Sequence, residues 1–286
     1  MSISVAIVAP GNMGAAIGRR LADNGVRVLT SLAGRSGASA KRTEAARMQA
    51  VDDAGLTEAD FLLSIVPPGD AIAFAARMAP HLASSATKPV FVDCNAVSPE
   101  TVARIAAIVG PTGAAFVDGG IIGAPPQPGM KGPALYMSGE AASRVLALSG
   151  YGLDVRVVPG GLGAASALKM SYAGITKGLT ALGSAMMLGA TRAGVAEALY
   201  AELAASQPAL LPWFTRQIPG MYQKAYRWVA EMEEIADFLH EDAPAAEMFH
   251  GAAALYERLA GDGSGATPET AALSHFLAQS QDRKAS

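Results

Sequence analysis

A single cysteine, Cys94, leaves no intramolecular disulfide to form, so the fold must be held by packing alone, a pattern that suits a reducing compartment. Charge is scarce too: 16% of the 286 residues are Asp, Glu, Lys or Arg, and a net charge of −3 offers no basic excess for a polyanion. The longest uncharged apolar stretch, Gly178 to Thr191, falls short of the roughly 20 residues a membrane helix needs. His81, His240, His250 and His275 lack metal-ligand spacing, and neither Gly-x-Ser-x-Gly nor a Walker loop occurs. No metal centre is therefore expected. These absences point to a cytoplasmic protein whose partner is a small molecule, with no nucleic acid and no membrane among its expected partners.

The chain opens with SISVAIVAPGNMGAAIGRRLADNGVRVLT, which reads as strand, glycine turn, helix, strand. Met13, Ile17 and Leu21 recur every four residues until Asn24-Gly25 stops the helix. Such a unit brings backbone N–H groups and the positive end of a helix dipole against a pyrophosphate, with glycines where a side chain would block the approach. Pro10, Gly11, Asn12, Met13 and Gly14 are the expected cradle, with Ala9 standing where the strict pattern has its first glycine.

What is missing after the second strand bears on which dinucleotide fits. An NAD site usually places an acid there for the ribose hydroxyls, whereas a 2′-phosphate calls for arginine. LAGRSGASAKR supplies Arg35 and Ser36 and no acid before Glu44, so NADP(H) is expected over NAD(H), by about tenfold or more from charge-assisted hydrogen bonds. Lys41 and Arg42 read as a solvated basic loop.

The alternation continues through ADFLLSIVPPGDAIAFAARM and KPVFVDCNAVSPETVARIAAIV, whose strands are continuous apolar runs, as in a parallel sheet covered on both faces. Ser98 caps the following helix, with Pro99 at its first position. GAAFVDGGIIGAPPQPGMKGPALYMSGE adds two strands around a Gly/Pro-rich loop. Ligands of such sheets lie beyond the carboxyl ends of strands, so Val66, Pro67, Asn95 and the segment from Asp118 to Ala124 should line one cleft. The expected architecture is α/β, a doubly wound, mostly parallel sheet followed by an all-α domain.

The segments APGNMG, SIVPP, VDCNAVSP, FVDGGIIGAPP, PALYMSG and GLGAASALKMSYAG, in that order, resemble the β-hydroxyacid dehydrogenase and 6-phosphogluconate dehydrogenase superfamily. The resemblance spans Ile3 to about Gly194. It implies a Rossmann-type NADP-binding domain over residues 1–160, a helical substrate and dimerisation domain over residues 161–286, and a homodimer formed through the C-terminal helices.

It also explains why a small-residue helix should carry Lys169. The superfamily places a catalytic lysine soon after a glycine pair, at this position. Burial can bring an amine's pKa towards about 7–8, which suits exchange of a proton with a carbinol oxygen. Tyr172, Ala173 and Thr176 share the lysine's helical face. Lys177, two turns on, reads as surface or interface.

The departures narrow the chemistry. Tyr172 and Ala173 stand where relatives carry His-Asn or Asn-Asn, and Thr176 where the decarboxylating branch has its acid, so oxidative decarboxylation is not expected. Ile122, followed by Gly123, replaces a substrate-binding serine, and with Gly120 these residues form the turn that would meet the substrate. Asn95 matches an asparagine found near the nicotinamide. Glu231 falls where better-studied members carry a lysine. Facing a cleft it would favour a neutral or aminated substrate, and paired with Arg227 it would say nothing of substrate. The resemblance thus implies an NADPH-preferring oxidoreductase acting on a CH–OH group; the alternatives are an imine or iminium reductase and a non-catalytic NADP(H)-binding sensor.

After Gly194 the pattern is helical, with interruptions expected at Pro208, Pro212, Pro219-Gly220 and Pro244. In MYQKAYRWVAEMEEIADFLHE, Trp228, Met232, Ile235, Phe238 and Leu239 form an apolar stripe.

Overall fold

The computed structural model describes residues 3–261 and 263–282. Two units divide the chain, Met1–Met170 and Ser171–Ser286.

The first unit alternates strands and helices: β1 (Ser4–Val8), α1 (Asn12–Asp23), β2 (Arg27–Thr30), α2 (Gly37–Ala45), β3 (Gln49–Ala50), α3 (Asp53–Leu56), β4 (Phe61–Ser64), α4 (Ala71–Ser84), β5 (Val90–Asp93), α5 (Pro99–Val109), β6 (Phe116–Ile122), β7 (Ala134–Ser138) and β8 (Asp154–Val157). They form one sheet in the order β3-β2-β1-β4-β5-β6-β7-β8. Every pairing is parallel except β6 with β7. The order reverses beside β1, whose neighbours are β2 and β4, and the crevice at such a switch point is where doubly wound sheets take their ligands. The expected α/β sheet is present; β3 and β8 are short additions that the sequence pattern did not announce.

Strand periodicity splits the core into two layers. Val5 and Ile7 face one way with Ile17, Leu21 and Val28, whereas Ala6 and Val8 face the other with Leu62, Phe74 and Phe91. Both faces of β1 are thus buried from Val5 to Val8, which is why these four positions are all apolar instead of alternating.

Helix α6 (Ala164–Arg192) follows, then α7 (Ala196–Ser206), α8 (Leu210–Met221), α9 (Ala225–Phe238), α10 (Ala243–Ala260) and α11 (Pro268–Asp282). The division between units falls within α6, ten residues beyond the expected 160/161 boundary. Its first turns belong to the N-terminal unit because Ala165 and Ser166 are hydrogen-bonded to Ser138 of β7 and Asp118 of β6.

Two expected helix breaks do not occur. α8 runs through Pro212, which lies in its opening turn, where no N–H partner is needed, and through Pro219, which lies inside the helix at the cost of one i→i−4 hydrogen bond two residues before its end. Pro244 sits in the first turn of α10, behind the Asp242 cap, whose carboxylate accepts from Ala245 N at 3.2 Å. The apolar stripe of α9 is buried as expected at Met232 and Ile235.

Gly183 of α6 packs against the ring of Phe214 of α8, and a methyl there would lie 2.6 Å from Cζ. Gly183→Ala gains about 1 kcal/mol of helix propensity and loses about 1–3 kcal/mol to overpacking. A lower urea midpoint is expected, restored by adding Phe214→Leu; a midpoint above wild type would contradict the tight α6–α8 packing.

Candidate functional site

The carboxyl end of β1 runs through Ala9 and Pro10 into Gly11, the N-cap of α1. No side chain caps this helix and no acid lies in its first turn, so the N–H groups of its opening residues and its dipole face outward. A side chain at Gly14 would collide with the Ala9 carbonyl, so the helix can lie this close to β1 only with glycine there. Beside Gly11, by contrast, there is nothing within 4 Å of where a Cβ would stand. A helix terminus with open space before it, bare of side chains, fits a pyrophosphate, and Pro10 to Gly14 would hold it.

Beyond β2, Arg35 is half-buried and lines a cavity of about 310 Å³ with Ala33, Val66, Asp70, Phe74 and Arg77. Phe74 and Arg77, one turn apart on α4, were not among the expected residues; a Phe-x-x-Arg pair following SIVPP was the available signal. Arg77 stacks over the Phe74 ring at 5.3 Å and pairs with Asp53 at 3.1 Å. Ser36 caps α2 by accepting from Ser39 N at 3.4 Å. Arg42 is no solvated loop residue: its Nε donates to the Pro10 carbonyl at 3.0 Å and its Nη2 to Ser39 Oγ at 3.0 Å, which ties α2 to the glycine turn. Lys41 is exposed, as expected.

Asn95 is buried behind the turn that follows β4. Its Oδ1 accepts from Val66 N at 2.7 Å, and its amide nitrogen donates to Ser64 Oγ at 2.9 Å and to the Asp93 carboxylate. With both amide hydrogens engaged, Asn95 has no donor left for a substrate. Its visible task is to fix the backbone of Val66 and Pro67. The neighbouring Cys94 is no nucleophile, because burial pushes its thiol pKa well up and the charges of Asp93 and Asp118 add to the effect.

Gly120 and Lys169 do come together. A Cβ on Gly120 would stand 2.8 Å from the Ala165 carbonyl and 3.2 Å from Lys169 Cβ, so the bare strand is what lets α6 lie against β6. Ile122 ends β6, paired with Ala134, and Gly123, at φ +130°, turns the chain against Pro133.

In the helical unit Tyr172 is half-exposed, and Thr176 donates its hydroxyl to the Tyr172 carbonyl at 2.9 Å. The pairing with Arg227 is corrected: Glu231 pairs with Lys177, and the two side chains are 16% and 15% exposed. Arg227 instead stacks on Tyr226. Lys177, read from the sequence as surface or interface, lies 4.9 Å above the Trp228 ring, and the Tyr256 hydroxyl donates to its carbonyl at 2.5 Å. Burial lowers the pKa of Lys177, against the opposing pull of Glu231, while burial raises that of Tyr256.

The cradle at the switch point, with a lysine-bearing helix against the last long strand, defines a dinucleotide-binding α/β protein. Residues 4–147, half of the chain, match the NAD binding domain of 6-phosphogluconate dehydrogenase, and residues 190–259 match a domain of unknown function, DUF1932. The chain belongs to this 6-phosphogluconate dehydrogenase-like family, and its N-terminal unit is an NAD-binding domain. No curated protein matches it.

Among solved structures, a conserved protein of unknown function, described as structurally similar to 3-hydroxyacid dehydrogenases, is 27% identical, with a TM-score of 0.69 over 93% of this chain and all of that one. Mycobacterium tuberculosis 3-hydroxyisobutyrate dehydrogenase is 16% identical, with a TM-score of 0.71 over 97% of this chain and 99% of that one. An Aspergillus terreus reductive aminase, in complex with NADPH and ethyl levulinate, is 17% identical, with a TM-score of 0.56 over 96% and 100%. The last two likenesses are of fold alone. Among the described residues no helix is long and apolar enough to cross a membrane.

The buried pair yields a prediction. Glu231→Gln, which leaves Lys177 without its counter-charge, should cost about 3 kcal/mol at pH 7, whereas Lys177→Met with Glu231→Leu should be neutral or stabilising. A depressed lysine pKa means that the unfolded chain binds more protons between that pKa and the ordinary 10.5, so wild-type stability should rise with pH across this window. Urea denaturation should therefore show any advantage of the double variant shrinking as pH approaches 10.5.

Proposed function

We propose that this chain is an NADPH-preferring dehydrogenase/reductase that interconverts a small hydroxy compound and its carbonyl, with Lys169 as the proton donor and acceptor. The observation that carries the reading is the seat of Lys169 on Gly120, in the same unit as the glycine turn and the Arg35 cavity. Bound NADPH would supply a hydride to the carbonyl carbon. The Lys169 ammonium gives its proton to the carbonyl oxygen as that carbon is reduced, and in the reverse direction the neutral amine takes the hydroxyl proton.

The preference for NADPH rests on Arg35 and Arg77 in one cavity and on a chain with no acid between Ser31 and Glu44. Ser36 adds a hydroxyl at the start of α2. With Asn95 engaged internally and Ile122 in the place of a serine, the substrate's polar groups fall to Lys169 and to the backbone around Gly120 and Gly123. The imine-reductase reading loses the support of Glu231, whose charge is matched by Lys177. The protein is assigned to the cytoplasm, where a lone, buried Cys94 stays reduced.

We also infer a homodimer through the C-terminal helices. Ile175, Leu182 and Met186 of α6 are 71%, 60% and 58% exposed, and Met248 of α10 is 71% exposed. Ile175, Leu182 and Met248 line an apolar groove of about 630 Å³ with Phe249 and Leu255. Leu182→Glu should shift the mass in sedimentation equilibrium from dimer to monomer; a wild-type monomer would end this inference.

Cofactor consumption across small hydroxy acids, aldehydes, ketones and cyclic imines, with NADPH and with NADH, tests the activity. Lys169→Ala should lower kcat by about 10²-fold or more while NADPH binding persists. Undiminished turnover would remove the lysine from the chemistry, and wild-type binding without turnover would favour the sensor. Arg35→Ala should cost about tenfold in kcat/KM with NADPH and little with NADH; faster rates with NADH throughout would overturn the preference.

A further inference from the structure

Helix α6 starts without a cap of its own. The residue before it, Gly163, has no side chain and a φ of +93°, yet the first N–H groups of a helix whose start is buried need acceptors. The Gly161 carbonyl takes Ala164 N at 3.3 Å, and the next two acceptors come from the sheet. Ala165 N donates to Ser138 Oγ at 3.0 Å, and Ser166 N donates to Asp118 Oδ2 at 3.0 Å. The same carboxylate accepts from Ser138 Oγ at 2.8 Å and, through Oδ1, from Ser166 Oγ at 2.6 Å. Asp118 and Ser138 are directly opposed in the β6–β7 ladder and both are fully buried, with Ser166 at 1% exposure. A carboxylate this deep is sustained by hydrogen bonds to both oxygens and by the positive end of the helix dipole.

Gly120 lies two residues further along the same face of β6, beneath Ala165 and Lys169. The strand therefore grips the helix twice: Asp118 fixes its first turn, and Gly120 sets how closely the second approaches. Lys169 is three residues from Ser166 and four from Ala165, on the face they share. A displacement of the helix start moves the lysine with it.

We propose that Asp118 is a positioning residue for the reaction: through Ser166 it holds the start of α6 so that Lys169 is presented above Gly120. This rests on the catalytic reading of Lys169, and the test separates the two. The probes are Asp118→Asn, which keeps one acceptor oxygen and removes the charge, and Ser166→Ala, which removes one hydrogen bond and keeps the N–H contact; both are made in the full chain.

Hydrogen exchange should be about tenfold faster over residues 164–170 in Asp118→Asn and unchanged in β1, β4 and β5, as loss of a cap predicts. The Kd for NADPH should stay within about twofold of wild type. With glyoxylate, cyclohexanone and 1-pyrroline as probes, kcat should fall about 10–100-fold while KM changes little, and the solvent deuterium isotope effect on kcat should rise as proton transfer becomes limiting. Ser166→Ala should fall between Asp118→Asn and wild type in each measurement, and it carries the test if Asp118→Asn does not fold.

Unchanged exchange over 164–170, or faster exchange everywhere with weakened NADPH binding, would overturn the positioning role and leave Asp118 a fold-stabilising residue. A kcat that stays at the wild-type value in both variants would also overturn it. A wild-type protein that turns over none of the probes, or a Lys169→Ala variant that keeps its kcat, would count against the proposed function, while the exchange data would still decide whether Asp118 holds the helix start.

Discussion

The close approach of α6 to β6 is the constraint on which the rest depends. At Gly120 the strand has no side chain, and the helix backbone occupies the space. Any larger residue would push out the turn that carries Lys169. The polar complement is the Asp118 carboxylate, which satisfies N–H groups that the glycine before the helix cannot. Absence of bulk and presence of charge, two residues apart on one strand face, act together.

The same economy of side chains governs the nucleotide end. Gly14 lets α1 lie on β1, and the space before Gly11 is left open. Arg42 and Asn95 work from behind, one holding the Pro10 carbonyl and the other the Val66 amide. Neither needs to touch a ligand to matter, since each fixes backbone at the switch point between β1 and β4. Positioning here is done by buried hydrogen bonds to loops, which are the segments most free to move otherwise.

The helical unit has its own polar centre, and it lies inside the packing. Lys177, Glu231, Trp228 and Tyr256 join α6, α9 and α10 by an ion pair, a ring contact and a hydrogen bond to the backbone. A pair of this kind contributes less to stability than it costs to break, because its charges were removed from water to make it.

In the sequence by itself, local periodicity and short spacing carry the alternation of strands and helices through β1, β2, β4, β5 and β6, the glycine turn, the lysine-bearing helix and the family, but not the short β3 and β8. Apolar runs set β1, β4 and β5, and Met13, Ile17 and Leu21 set α1. Tertiary structure alone decided which polar groups meet. Asn95 faces inward to Val66, Arg42 reaches Pro10 across 32 residues, Asp118 reaches Ser166 across 48, and Glu231 finds Lys177 across 54 instead of its helical neighbour Arg227. Such partners are fixed by proximity in space, and a buried charge or amide takes the acceptor that the packed chain brings to it, whatever its neighbours in sequence suggest.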